Sequence, residues 1–178
     1  MTDRLHFTGD EAADRLLVAD PFALLVGFAL DQQVTVQKAF MGPYVLRERL
    51  GTLDVAAVAA ADLEPIFRER PAIHRFPGAM AARVHELAVS VLEHYDGDAA
   101  RVWTGAADAE DLRARIAGLP GFGDMKIKAL GSVLAKRFGI ALAEPLIPWH
   151  PTLGDVDSPA ALADYQAAKK ANKASWLV

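Results

Sequence analysis

The sequence predicts an all-α protein, and three observations carry that expectation. Apolar residues recur at helical spacing, helix start and stop signals follow one another along the chain, and no segment shows the alternation of a strand. Thr8-Gly9-Asp10-Glu11 has the spacing of a capping box and predicts a first helix to about Val18. Asp20-Pro21 restarts the chain, and the almost wholly apolar Phe22 to Leu30 predicts a central, buried helix. A further helix is expected from Val34 to Leu50, stopped by Gly51 and kinked or broken at Gly42-Pro43. Asp54 to Ala60 and Asp62 to Arg68 read as two short helices, each opened by an aspartate cap.

Beyond Pro71 and Pro77, the segment Gly78 to Tyr95 is the clearest amphipath. Met80, Val84, Leu87, Val91, Leu92 and Tyr95 share one face, while Arg83, Glu86 and Glu93 face outward. Asp108 to Ala117 is another helix, followed by Leu119-Pro120-Gly121-Phe122-Gly123 and a helix from Asp124 to Phe138 that ends at Gly139. Ile140 to Asp157, with three prolines, is expected to be mostly loop, and Ser158-Pro159 opens a last helix to about Ala174.

The 178 residues suit one domain, 1–178, with a substantial core. No run approaches the roughly 18 apolar residues that span a bilayer, and Met1 to His6 has no signal design, so a cytoplasmic protein without a membrane partner is expected. The absence of cysteine excludes disulfides, thiolate zinc sites and a cysteine-held iron–sulfur cluster. The five histidines fall into no metal-binding spacing. A formal charge of −4 counts against a generic nucleic-acid binder, which leaves a local basic face as the requirement for one.

Leu119 to Gly123 is the informative stretch. Two glycines one residue apart let the backbone pass close to a ligand, and the unpaired amides of the next helix face the same point. Lys126 and Lys128 occupy the start of that helix, where a cation is disfavoured by about 0.3–1 kcal/mol unless an anion such as a phosphate sits there. Periodicity puts Ile127, Leu130, Leu134 and Phe138 on the buried side and leaves both lysines for solvent or DNA.

This stretch resembles the hairpin of the helix-hairpin-helix (HhH-GPD) DNA glycosylases. Pro21 to Val26 followed by Leu30-Asp31-Gln32-Gln33-Val34-Thr35-Val36-Gln37-Lys38-Ala39 resembles the family's Gln-Gln segment, nearest to the bacterial 3-methyladenine glycosylase branch. The likeness covers roughly residues 15 to 140. It implies a bilobal helical bundle, the second lobe built from N- and C-terminal segments. It also implies a monomer that grips double-stranded DNA at Gly121, Gly123, Lys126 and Lys128. A damaged base is then flipped into the cleft between lobes, with Gln32 and Gln33 beside the gap it leaves. The implied activity is base excision repair by hydrolysis of the N-glycosidic bond of an alkylated or deaminated base. No cofactor is implied beyond a monovalent cation at the hairpin.

The chain departs from the family pattern at the chemistry. Bifunctional relatives carry a lysine nucleophile where this chain has Met125, and Lys126 lies about 100° further round the helix, which points to a monofunctional enzyme. The family's aspartate is missing from Ala141 to Pro148. Glu144, Asp157 and Asp31 are the three candidate replacements, and a catalytically silent DNA-binding module is the alternative. Trp149 is a candidate for stacking on an extruded base, and Lys169 to Lys173 form a basic strip.

Overall fold

Asp10, not Thr8, caps the first helix. Its carboxylate accepts the Ala13 amide at 2.9 Å and opens α1 (Glu11–Ala19), while the Thr8 hydroxyl serves Asp10 and Asp14 in the preceding turn. The computed structural model describes residues 2–176, and among these it is all-helical: ten α-helices, two 3-10 turns and no strand. Asp20 accepts the amides of Phe22 and Ala23 and opens α2 (Pro21–Leu30), every residue of which from Phe22 onward is buried. Gly27 lets α3 (Val36–Leu50) come close, since a Cβ there would lie 2.4 Å from the Phe40 ring. Phe40 meets Phe7 and Phe28 edge-on, at centroid separations of 4.9 and 5.0 Å.

Two expectations about α3 are corrected. The helix starts at Val36, with the Thr35 hydroxyl accepting the Lys38 amide, and it runs unbroken through Gly42-Pro43 to Gly51 at φ +89°. Pro43 removes one intrahelical hydrogen bond, and the burial of Phe40, Gly42, Pro43 and Leu46 holds the helix through it. Next come α4 (Val55–Ala60), capped by Asp54, and α5 (Leu63–Arg68), where Asp62 makes no capping bond. Both pack on α6 (Pro77–Tyr95), which buries Met80, Val84, Leu87 and Val91 as its periodicity predicts.

The single turn α7 (Arg101–Thr104) was not legible as a helix. It is followed by α8 (Ala109–Ala117), capped by Asp108, and by α9 (Asp124–Lys136). Residues 140–157 are more ordered than a proline-rich loop suggests, with 3-10 turns at Ala141–Leu146 and Leu153–Asp155 packed on α9. Thr152 and Asp155 cap the second turn reciprocally, each side chain accepting a backbone amide of that turn. Ser158 accepts the Ala161 amide at the head of α10 (Pro159–Trp176), a helix that buries only Leu162 and Trp176 among its residues.

One apolar cluster runs from Leu5 to Leu162. Helices α1 to α6 pack among themselves, and α7 to α9 pack with one another and with the 3-10 turns. Among the described residues, no helix is long and apolar enough to cross a membrane.

Candidate active site

The hairpin turn is anchored by its apolar residues and open at its glycines. Leu119 and Phe122 are buried, and the Phe122 amide donates to the Leu119 carbonyl at 3.1 Å. Gly121 has φ +77°, a backbone region that favours glycine, and a Cβ there would fall 1.5 Å from Nη1 of Arg83, which lies across the turn from α6. Gly123 caps α9 in extended conformation, is exposed, and has nothing within 4 Å of where a Cβ would stand. Among the described residues, no protein acceptor takes the amides of Gly123, Asp124 or Met125, so three donors and the positive end of α9 face outward.

The two lysines do not both face away from the protein, as periodicity alone suggests. Asp124 accepts Arg113 at 2.6 Å and pairs with Lys128 at 2.8 Å, and these two cations hold its carboxyl below the usual range. That pair offsets the cation at the head of α9 without any outside anion. Lys126 turns inward. Its Nζ lies over the Phe122 ring and donates to the Ala29 carbonyl at 3.2 Å, at the C-terminal end of α2 where a cation is favoured. Burial lowers its pKa, and the nearby Asp31 carboxylate opposes that shift.

Asp31 follows the last residue of α2 and is half-buried. Burial raises its carboxyl above the ordinary range, while Lys169 and then Lys126 pull it back. The negative end of α2 is also an unfavourable place for a carboxylate. Tyr165 completes the cluster, its hydroxyl pushed up by burial and then by Asp31 and Asp155. Thus α2, α9 and α10 converge on one carboxylate. Paired amides of Gln166 and Gln37, at 2.8 and 3.3 Å, hold α10 to α3, and Trp176 stacks on His150 and Tyr165.

The other two candidate carboxylates lie apart from this cluster. Glu144 is exposed on the first 3-10 turn, and Asp157 is exposed just before α10, where Ser158 takes the capping role. Trp149 is 72% exposed and meets the buried His150 edge-on, so it is free to touch something outside the fold.

Gln32 and Gln33 form the bend between α2 and α3 rather than a helix start. The Gln32 side chain donates to the Ala29 carbonyl, and Gln33 is exposed at φ +56°. His74 fixes this bend from the loop before α6. Its Nδ1 accepts the Phe76 amide, so Nε2 carries the hydrogen and donates to the carbonyls of Leu30 at 3.1 Å and Gln32 at 3.2 Å. Burial keeps its pKa below the usual imidazole range. Sequence reasoning missed His74, Arg83 and Tyr165 and read Lys169 only as part of a basic strip, because these residues reach the site from the loop before α6, from α6 and from α10 and share no local motif with it.

A groove of about 400 Å³, lined in part by Asp20, Arg47, Asp54 and Asp98, opens at the opposite end of α2. Eleven residues of helical rise place it about 16 Å from Asp31. Its polar groups are already engaged in capping and pairing, which favours the Asp31 cluster as the chemical site. Among the described residues, no three His, Asp or Glu side chains converge as metal ligands do. No protein-family model, curated protein or solved structure matches this chain.

Proposed function

We propose that the chain is a monofunctional DNA glycosylase of base excision repair that hydrolyses the N-glycosidic bond of an alkylated or deaminated base in double-stranded DNA. One observation carries the reading: α9 starts at the open glycine turn and, within its first turn, carries Lys126 toward Asp31. A phosphate held on the amides of Gly123 to Met125 would therefore bring DNA to the same helix end that carries Lys126 toward the partly buried Asp31 carboxylate. The separate packing of α1 to α6 and of α7 to α9 supports a two-lobed form, with the N-terminal helices in the lobe of α3 to α6.

As the glycosidic bond breaks, its electron pair leaves with the base and positive charge grows on the sugar. The Asp31 carboxylate stabilises that charge and takes the proton of the attacking water. Lys169 and then Lys126 favour the ionised carboxyl and oppose the rise that its burial causes. Arg83 and the hairpin amides hold phosphate, Gln33 fills the gap in the duplex, and Trp149 stacks on an exposed base. Incubation with duplexes carrying uracil, hypoxanthine, 3-methyladenine or oxidised bases, then alkali, tests this. Scission at one lesion is expected, and no scission at any lesion while binding persists would make the chain a silent DNA-binding module.

A second reading is favoured by the half-buried amine itself. A lysine with a lowered pKa beside a carboxylate is suited to attack C1′ of the sugar, expelling the base and giving an imine. Borohydride would reduce that imine and trap a protein–DNA adduct that Lys126→Met abolishes. No adduct is expected from the monofunctional enzyme.

A further inference from the structure

The loop between α5 and α6 is held rigidly from behind. Arg49 donates to the carbonyls of Ile66, Glu69 and Pro71, Lys38 donates to that of Ala72, and His74 reaches across to Leu30 and Gln32. With so many of its backbone acceptors turned inward, the loop presents side chains outward. Arg70 and Arg75 are exposed and make no hydrogen bond or ion pair with another side chain among the described residues. Phe76 is 39% exposed, one of two large apolar side chains so placed among the described residues, and the Arg75 guanidinium lies over its ring at 4.9 Å.

Arg70 and Arg75 line a groove of about 660 Å³ together with Arg68 and His74, Phe76 stands between its lining residues Arg75 and Pro77, and the groove continues past Lys38 to Val34 and Thr35. No carboxylate lines it, although Glu64 pairs with Arg68 from the α5 side. In a chain of net charge −4, that is a local basic surface set against the overall balance. Cations alone would fit any polyanion. An exposed aromatic ring among them adds a π-face, and a base can stack on it only when that base is unpaired, because in a duplex the base faces are already covered.

We propose that this groove binds a single-stranded DNA segment, its phosphates on Arg70, Arg75 and Lys38 and one unpaired base on Phe76. The inference stands on the groove's own residues and adds to the reading above the form of DNA the protein holds. Gln33, at positive φ between Gln32, whose carbonyl His74 holds, and Val34 on the groove wall, marks where a paired strand would part.

Fluorescence anisotropy with a labelled twelve-nucleotide oligodeoxythymidine, and with the same strand annealed to its complement, tests the proposal. The wild type should bind the single strand, with affinity falling as salt rises. Arg70→Glu/Arg75→Glu should weaken binding at least tenfold and flatten the logarithmic salt slope by about 1.4, two phosphate contacts at about 0.7 each. Phe76→Ala should weaken it about tenfold and Phe76→Trp should restore it, with thermal melts confirming that each variant folds. Asp31→Asn should bind the oligonucleotide as the wild type does, whether or not it releases a base, so the groove and the glycosylase reading fail separately. Affinity unchanged in both Phe76→Ala and the double charge reversal, or binding to the duplex alone, overturns the proposal.

Discussion

Replacing each hairpin glycine by alanine separates backbone strain from ligand approach. At Gly121 the backbone sits at φ +77°, where a side chain costs roughly 1–2 kcal/mol. The new Cβ would also stand 1.5 Å from Arg83 Nη1 and push that guanidinium off the turn. At roughly 2–4 °C per kcal/mol for a chain of this size, Gly121→Ala should lower Tm by about 2–8 °C. Gly123→Ala is a different case. Its φ of −84° suits any residue, and nothing stands within 4 Å of the added atom. Reduced freedom of the unfolded chain favours alanine by about 0.4–1 kcal/mol, and the poorer cap costs about 0.5 kcal/mol, so the sum lies near zero. The methyl group would nevertheless occupy the approach to the outward amides of α9. Losing one hydrogen bond to a charged phosphate, about 1.5–3 kcal/mol, should weaken duplex binding at least tenfold. Thermal melts with duplex anisotropy read both effects. Wild-type affinity in Gly123→Ala, or wild-type stability in Gly121→Ala, would refute the reasoning.

Asp31→Asn should melt above the wild type at pH 7. Burial raises the folded carboxyl's pKa, so the charge costs stability as pH rises through that pKa, and the gain should vanish below the unfolded value of 3.8, where both side chains are neutral. His74→Phe should lose about 1–3 kcal/mol by stranding the carbonyls of Leu30 and Gln32, measured by urea denaturation. The sign of its pH effect is the reverse of that for Asp31. A histidine held neutral in the fold loses stability as pH falls below about 6.5, and the variant should show a flatter profile between pH 7 and 5. Phe40→Ala should cost about 3–5 kcal/mol by emptying the contact among Phe7, Phe28 and Gly27, read from the denaturation midpoint.

The helices were legible where local chemistry decides them. Asp20, Asp54 and Asp108 each cap as their positions predict, and the apolar run Phe22 to Leu30 is the buried centre of the fold. Tertiary packing decided the rest. Pro43 reads as a break, yet burial carries α3 through it, and the 3-10 turns at 141–146 and 153–155 are held by packing on α9 that no local pattern announces. The glycine turn of the candidate site was legible for the same local reason as the caps. The direction of Lys126 was not, because it depends on the end of α2 lying within reach, ninety-seven residues earlier in the chain. Asp31 was one of three carboxylates the sequence could not rank. Its burial against Tyr165 and Lys169 of α10 sets it apart from the exposed Glu144 and Asp157.

Base release from lesion-bearing duplexes, measured under single turnover with the wild type, Asp31→Asn, Glu144→Gln and Asp157→Asn side by side, tests the central claim most directly. Release is expected from the wild type, Glu144→Gln and Asp157→Asn alike, with a fall of at least a hundredfold in Asp31→Asn, in keeping with the roughly 10²–10⁴ contributed by a positioned general base. Undiminished release by Asp31→Asn, or a loss confined to Glu144→Gln or Asp157→Asn, would contradict that claim.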